Sequence, residues 1–182
     1  LKTTLNTVAK EVNEVLQQVK EDQAIDLSKA LLQAKRIFVL GEGRSGLMGK
    51  AFAMRLMHAG FQVYAVGETI TPSIQQDDLL VAISGSGTTG SIVQFAKKAK
   101  EAGAEVAGVT TDAASPLAEV SSNVLIIPAA TKYRRETEPD TIQPLGNQFD
   151  QSLHLLLDAI IIYTVKETSS HEEMKNRHAN LE

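Results

Sequence analysis

The sequence contains no cysteine and few aromatic residues, shows no excess of basic charge, and lacks any long uninterrupted apolar run. Without cysteine there is neither a disulfide framework nor a thiolate metal site, which fits a reducing compartment and makes cytoplasm the expected location. A formal net charge of −4 with aromatics at 4% argues against a nucleic-acid surface, which needs basic stripes and stacking rings. The longest apolar stretch, Leu155 to Val165, is broken by Asp158, and Leu1-Lys2-Thr3-Thr4-Leu5 has no apolar signal core. Neither a membrane span nor a leader is therefore expected. What is present is a chain of 182 residues, 43% apolar, of a size that buries one core without covalent staples.

Periodicity supplies the architecture. Leu5, Val8, Val12, Val15, Leu16 and Val19 recur at helical spacing and predict an amphipathic helix over about 4–20. A short helix is expected over Leu27 to Ala34. Five apolar, β-branched runs have strand length: Arg36 to Leu40, Gln62 to Val66, Leu79 to Ser84, Glu105 to Thr110 and Asn123 to Pro128. Helical patterns over Leu47 to Ala59 and Gly90 to Ala102 lie between them, the second closed by Gly103 as a C-cap. Alternating strand and helix imply right-handed βαβ units, so the expected fold is α/β, a three-layer doubly wound sandwich around a five-stranded parallel sheet. Thr131 to Asn147, charged and carrying Pro139 and Pro144, reads as a surface loop. A long helix over Gln148 to Lys166 and a polar tail over Ser169 to Glu182 complete a single domain, 1–182.

Two strand-to-helix segments have the composition of anion sites: Gly41-Glu42-Gly43-Arg44-Ser45-Gly46 and Ser84-Gly85-Ser86-Gly87-Thr88-Thr89. Glycines let the backbone turn tightly and present N–H groups, and the following helix offers its partly positive N-terminus. Ser45, Ser84, Ser86, Thr88 and Thr89 add neutral hydroxyl donors. Plain helix capping accounts for one such segment; two at the carboxyl ends of one sheet point to a ligand site. The first segment is also a literal G-x-G-x-x-G, with Glu68 lying 22 residues beyond Gly46, so a dinucleotide reading in which Glu68 takes ribose hydroxyls competes. Against it stand Arg44, Ser45 and a second hydroxyl-rich loop that a dinucleotide does not need.

At these residues the chain resembles the sugar isomerase (SIS) superfamily and, within it, the 6-phospho-3-hexuloisomerases. The resemblance is carried by Gly43-Arg44-Ser45-Gly46-Leu47, Phe52 to His58, Gly67-Glu68-Thr69 with Thr71-Pro72, Ser84-Gly85-Ser86-Gly87, Gln143-Pro144-Leu145-Gly146 and the ending His178-Ala179-Asn180-Leu181-Glu182. It implies a flavodoxin-like SIS domain that interconverts arabino-3-hexulose 6-phosphate and fructose 6-phosphate in the ribulose monophosphate pathway of formaldehyde fixation. It implies no cofactor and no metal, supply of substrate by hexulose-phosphate synthase, and a homotetramer with sites near subunit boundaries. The first helix and the tail are then expected to make subunit contacts. A sugar-phosphate sensor without catalysis, or another phosphosugar aldose–ketose isomerase, has the same loops.

Carried onto this chain, the resemblance gives Ser45, Ser84, Ser86 and Thr89 to the phosphate, with Gly85, Gly87 and Thr88 beside them and Gly43 and Arg44 toward the sugar. Asp150 stands where relatives usually have the glutamate proposed as catalytic base. It is one methylene shorter, about 1.5 Å along a C–C bond, and ~1 Å of misplacement can cost about a hundredfold in rate. Asn147 and Asp150 also have the spacing of a capping box, the ordinary structural use of both. Glu68, expected at the ligand-bearing edge of the sheet, is a second catalytic candidate, against a salt bridge with Arg44 or Arg55. His178 is a third, as a proton shuttle from its own or an adjoining subunit. His154 and Asp158, one and two turns beyond Asp150, read as a solvated helix stripe, and His171, Glu172, Glu173 and His178 lack a familiar metal spacing.

Overall fold

Five strands, β1 (Ile37–Gly41), β2 (Val63–Ala65), β3 (Leu79–Ile83), β4 (Glu105–Thr110) and β5 (Asn123–Ile126), pair in parallel in the order β2-β1-β3-β4-β5. They do so in a computed structural model that describes residues 1–166 and 168–181. The central strand β3 is buried along its whole length, because its side chains alternate between two apolar layers. Leu79, Val81 and Ile83 join Ile37 and Val39 in one core, while Leu80 and Ala82 join Phe38 and Leu40 in the other. The first core is closed by α2 (Glu21–Gln33), α3 (Gly43–His58) and α6 (Asn147–Val165), with α1 (Lys2–Leu16) packed on α6. The second is closed by α4 (Gly90–Glu101) and α5 (Pro116–Val120).

The doubly wound parallel sheet is as the alternation requires. Strand β4 has the bounds expected from sequence, and the Gly103 cap is a Schellman motif: Gly103 has φ +84°, Ala104 N–H donates to Ala99 O and Gly103 N–H to Lys100 O, each at 3.0 Å. Several boundaries differ. Helix α1 stops at Leu16 because Lys20 already caps α2, which starts at Glu21, six residues before its first buried leucine. Its polar first turn carries Glu21 and Asp22, favourable at a helix N-terminus but invisible to apolar periodicity. Helix α3 starts at Gly43, so most of the first glycine-rich segment is its opening turn and not a loop. The five-residue α5, with Pro116 at its first position and Ser115 accepting from Ala118 N–H, carries too little periodicity to read from sequence.

The tail is polar and largely exposed, as expected, but it carries a helix that its composition did not predict. Helix α7 (His171–Asn176) opens with a capping box between Ser170 and Glu173 and folds back on its own α3. Arg177 Nη1 donates to His58 O at 3.1 Å, Ser169 Oγ to Ala59 O at 3.1 Å, and the His178 ring stacks on His58 with centroids 5.2 Å apart. Burial, with Arg55 and His178 adding like charge, pulls the His58 imidazole below its usual range, so it sits neutral in this contact. Glu182, the last residue of the expected tail, lies outside the described residues. Among the described residues no helix is long and apolar enough to cross a membrane.

Candidate functional site

In the order β2-β1-β3-β4-β5, the chain leaves β1 toward one face and β3 toward the other, so the crevice between their carboxyl ends is the switch point where such sheets bind ligands. Both glycine-rich segments follow these two strands. They line a cleft of about 680 Å³ together with Thr131 to Tyr133 and Pro144 to Asp150. Three helix N-termini open onto it: α3 through Gly43 to Ser45, α4 through Thr88 and Thr89, and α6 through Gly146 and Asn147. Each adds unpaired N–H groups and partial positive charge, so the cleft favours an anion without needing net basic charge.

Close packing explains the glycines of the first segment. A Cβ on Gly46 would lie 2.6 Å from Gly41 O, so α3 can approach the end of β1 only with glycine there, and Gly43 turns the chain at φ +56°. These contacts account for the G-x-G-x-x-G spacing without a nucleotide. In the second segment Gly85 O accepts from Thr111 N–H at 3.0 Å and Thr111 Oγ1 at 2.8 Å, which ties the turn to the end of β4. Ser84, buried, shares a 2.8 Å hydrogen bond with Thr89 across the turn, and Thr88 Oγ1 donates to Ser86 Oγ at 3.0 Å. Gly87 differs from expectation: its N–H donates to Ser84 O at 3.0 Å and it is buried against Ser115. Its N–H is thus committed to the turn. Among the described residues the N–H groups of Gly85, Ser86 and Thr89 have no protein acceptor.

Asp150 is the side chain that the fold places most pointedly. It lies in the first turn of α6, only 5% exposed, and accepts a 2.6 Å hydrogen bond from Ser45 Oγ at Oδ1, with Arg44 Nε 3.7 Å from Oδ2. The capping alternative does not hold: Gly146 is the N-cap, Asn147 is already helical, and no side chain caps the helix. Burial pushes the Asp150 carboxyl above its ordinary value, against the opposing pull of Ser45 and Arg44. Arg44 thus faces Asp150 and not Glu42, which instead accepts from Ser91 Oγ. Because the single hydroxyl proton of Ser45 is directed at Asp150, what Ser45 offers an anion is its N–H end of α3.

The other two catalytic candidates lie apart from this pair. Glu68 is exposed, accepts from Lys50 Nζ at 2.5 Å, and does not line the cleft; its partner is neither Arg44 nor Arg55. His178 sits at the far end of α3. Thirteen residues separate Ser45 from His58, about 20 Å at 1.5 Å per residue. His154 and Asp158 pair with each other at 3.8 Å on the half-exposed face of α6. Among the described residues no three His, Asp or Glu side chains converge in a metal-binding group.

The expectation of a surface loop over Thr131 to Asn147 needs correcting. The segment has no regular structure, but Thr131 and Gln143 are buried, and Thr131 to Tyr133 and Pro144 to Asn147 form the cleft wall opposite the glycine-rich turns. Sequence reasoning assigned no role to these residues. The only signal was Gln143-Pro144-Leu145-Gly146, a motif at a helix start with no periodicity of its own.

Comparison with known proteins agrees with this geometry. The family model described as SIS domain matches residues 30–139. A 3-hexulose-6-phosphate isomerase of Mycobacterium gastri is 42% identical over 180 residues, covering 98% of this chain and 89% of the relative. One of Bacillus subtilis is 39% identical over 165 residues, covering 90% and 89%. The crystal structure of a hypothetical protein from Methanococcus jannaschii, for which a molecular function of 3-hexulose-6-phosphate isomerase was inferred, matches with a TM-score of 0.85 at 33% identity over 100% of both chains.

Proposed function

The chain belongs to the SIS domain family, alongside the 3-hexulose-6-phosphate isomerases, and from that premise we propose that it interconverts D-arabino-3-hexulose 6-phosphate and D-fructose 6-phosphate. The observation that carries this reading is the buried Asp150 carboxylate 2.6 Å from Ser45, on the wall of a cleft that the two glycine-rich turns and three helix N-termini also line. A sensor of sugar phosphates needs the phosphate wall; it has no use for a buried carboxylate with a raised pKa, which costs stability.

In this mechanism Ser84, Ser86 and Thr89, with the N–H groups of Gly85 and the start of α4, hold the phosphate. Ser45 orients Asp150. The carboxylate removes the proton from C2 of the 3-ketose, and the electron pair forms the C2–C3 double bond as the C3 carbonyl oxygen takes up negative charge. A proton moves from the C2 hydroxyl to that oxygen, and Asp150 returns its proton to C3, leaving the carbonyl at C2. No electrons leave the substrate, so no redox partner is consumed. A carboxyl raised by burial is the better matched base near neutral pH, and Arg44 faces the developing enediolate. His178 is proposed as the oxygen-side shuttle supplied by a neighbouring subunit, since about 20 Å of α3 separates it from its own cleft. A homotetramer with boundary sites, and a hexulose-phosphate synthase supplying the substrate, belong to the same proposal.

The test couples the purified protein to hexulose-phosphate synthase with formaldehyde and ribulose 5-phosphate, and follows fructose 6-phosphate. Product above the synthase-only background is expected; none would end the proposal. A separate expectation concerns the phosphate wall. Ser84→Ala removes a buried hydroxyl and frees Thr89, so affinity for a non-isomerisable hexitol 6-phosphate is expected to fall on the order of tenfold or more, measured by calorimetry with the fold checked by circular dichroism. Unchanged affinity would remove Ser84 from the phosphate site.

A further inference from the structure

Helix α1 contributes one side chain that its amphipathic pattern does not explain. Glu11 is 9% exposed and meets the strap that leads into α6: it accepts from Thr141 Oγ1 at 2.5 Å, from Ile142 N–H at 3.0 Å and from Gln143 Nε2 at 2.9 Å. Burial pushes the Glu11 carboxyl up, but these three hydrogen bonds and the Arg134 guanidinium outweigh it and hold it below the usual carboxylate range. Glu11 is therefore an acceptor-only group at neutral pH. It draws the amide nitrogen of Gln143 and leaves Gln143 Oε1 buried without a partner, an arrangement that only a fixed carboxylate makes worthwhile.

The strap is tied at its other side by Arg134, which donates to the carbonyls of Thr131, Gln143 and Leu145. Leu145, at φ +52°, lies between these ties and Gly146, whose carbonyl accepts the first helical hydrogen bond of α6 from Asp150 N–H at 3.0 Å. Thus the strap that leads into Asp150 is hydrogen-bonded to α1 through Glu11, beside the packing of α6 itself on α1, α2 and α3.

We propose that Glu11 is a positioning residue for the isomerase site: by clasping Thr141, Ile142 and Gln143 it steadies the Pro144 to Gly146 wall and the first turn of α6, and with them the Asp150 carboxylate against Ser45. This rests on the reading of Asp150 as base. The phosphate wall stands on β1, β3 and β4 and is not part of the clasp.

Glu11→Gln turns one of the two carboxylate oxygens, which between them accept from three donors, into a donor. With the folded variant, turnover is expected to fall about tenfold or more, while KM and affinity for a hexitol 6-phosphate stay within about twofold. Water reaching a loosened Asp150 is expected to move the acid limb of the kcat profile to lower pH. The Asp150 carboxyl titration, followed by NMR and assigned with Asp150→Asn, is expected to move the same way. A folded variant with unchanged turnover, or with reduced turnover and an unchanged Asp150 titration, overturns the proposal. If Glu11→Gln does not fold, Thr141→Val, which removes one clasp, is read by the same criteria. The NMR titration needs no turnover, so an inactive wild type would end the functional reading while leaving the positioning of Asp150 open to this measurement.

Discussion

Replacing Asp150 by asparagine is expected to lower kcat by about 10²–10⁴-fold, the usual share of a general base, and at the same time to raise thermal stability at neutral pH. The two effects have one cause. Asp150 is 5% exposed, and burial holds its carboxyl above the ordinary value despite Ser45 and Arg44. In the pH window between the unfolded and the raised folded value, the native state binds more protons than the unfolded chain. Stability of the wild type therefore declines as pH rises through that window, and the cost is complete above the raised folded value. Asparagine keeps an oxygen to accept from Ser45 and removes the buried charge. Its melting temperature is expected to lie higher at pH 7, on the order of 2–4 °C. The gain should shrink as pH falls and vanish below the unfolded carboxyl value. Calorimetry at several pH values, beside single-turnover kinetics, checks both; normal turnover in the variant would remove Asp150 as the base, and a loss of stability at pH 7 would contradict the account of its burial.

Gly46→Ala is expected to damage both fold and site. Its Cβ would sit 2.6 Å from Gly41 O and 2.8 Å from Gly41 C, backbone atoms of the last residue of β1, which is paired with Ile83 of the buried central strand β3. That pairing resists displacement of the strand end, so α3 is expected to move outward. Forced overpacking of this kind costs about 1–3 kcal/mol, or roughly 2–12 °C in melting temperature for a chain of this size. Because Ser45 and Arg44 ride on the same helical turn, a shift of ~1 Å there is also expected to cost about a hundredfold in turnover. Thermal melts and steady-state kinetics test this. A variant with native stability and rate would mean that the approach of α3 to β1 is not what the glycine serves.

How much of this was legible in sequence depends on how locally each feature is encoded. The parallel sheet was readable because alternate residues such as Phe38 and Leu40, against Ile37 and Val39, must both be apolar when both faces are covered. Gly103 was readable because a left-handed C-cap selects glycine. The place of the two glycine-rich segments at strand ends and helix starts was readable since strand end, glycine and helix start are contiguous in the chain. Helix starts were less so: the polar first turn of α2 and the glycine-rich first turn of α3 carry no apolar stripe.

Asp150 marks the boundary. As a residue type beside Asn147 it was open to both a capping and a catalytic reading, and nothing within a few residues separated them. What removed the capping reading was the fold, which makes Gly146 the N-cap and gives the carboxylate to Ser45, 105 residues away in sequence and 2.6 Å away in space. Glu11 is a sharper case: on α1 it looks like any solvated glutamate, and its partners come from residues 141–143. The same holds for Glu68, which the strand end suggested for the site and which Lys50 engages instead, and for His178, held on His58. Sequence by itself determined the sheet class, the strands and the longer helices to within a few residues, and the two glycine-rich turns at one edge of the sheet, because periodicity and glycine placement act over one or two turns of chain. Which polar side chains meet, and which of them are dry enough to change their acidity, was decided only by tertiary packing, because burial and hydrogen-bond partners are supplied by segments that local pattern cannot bring together.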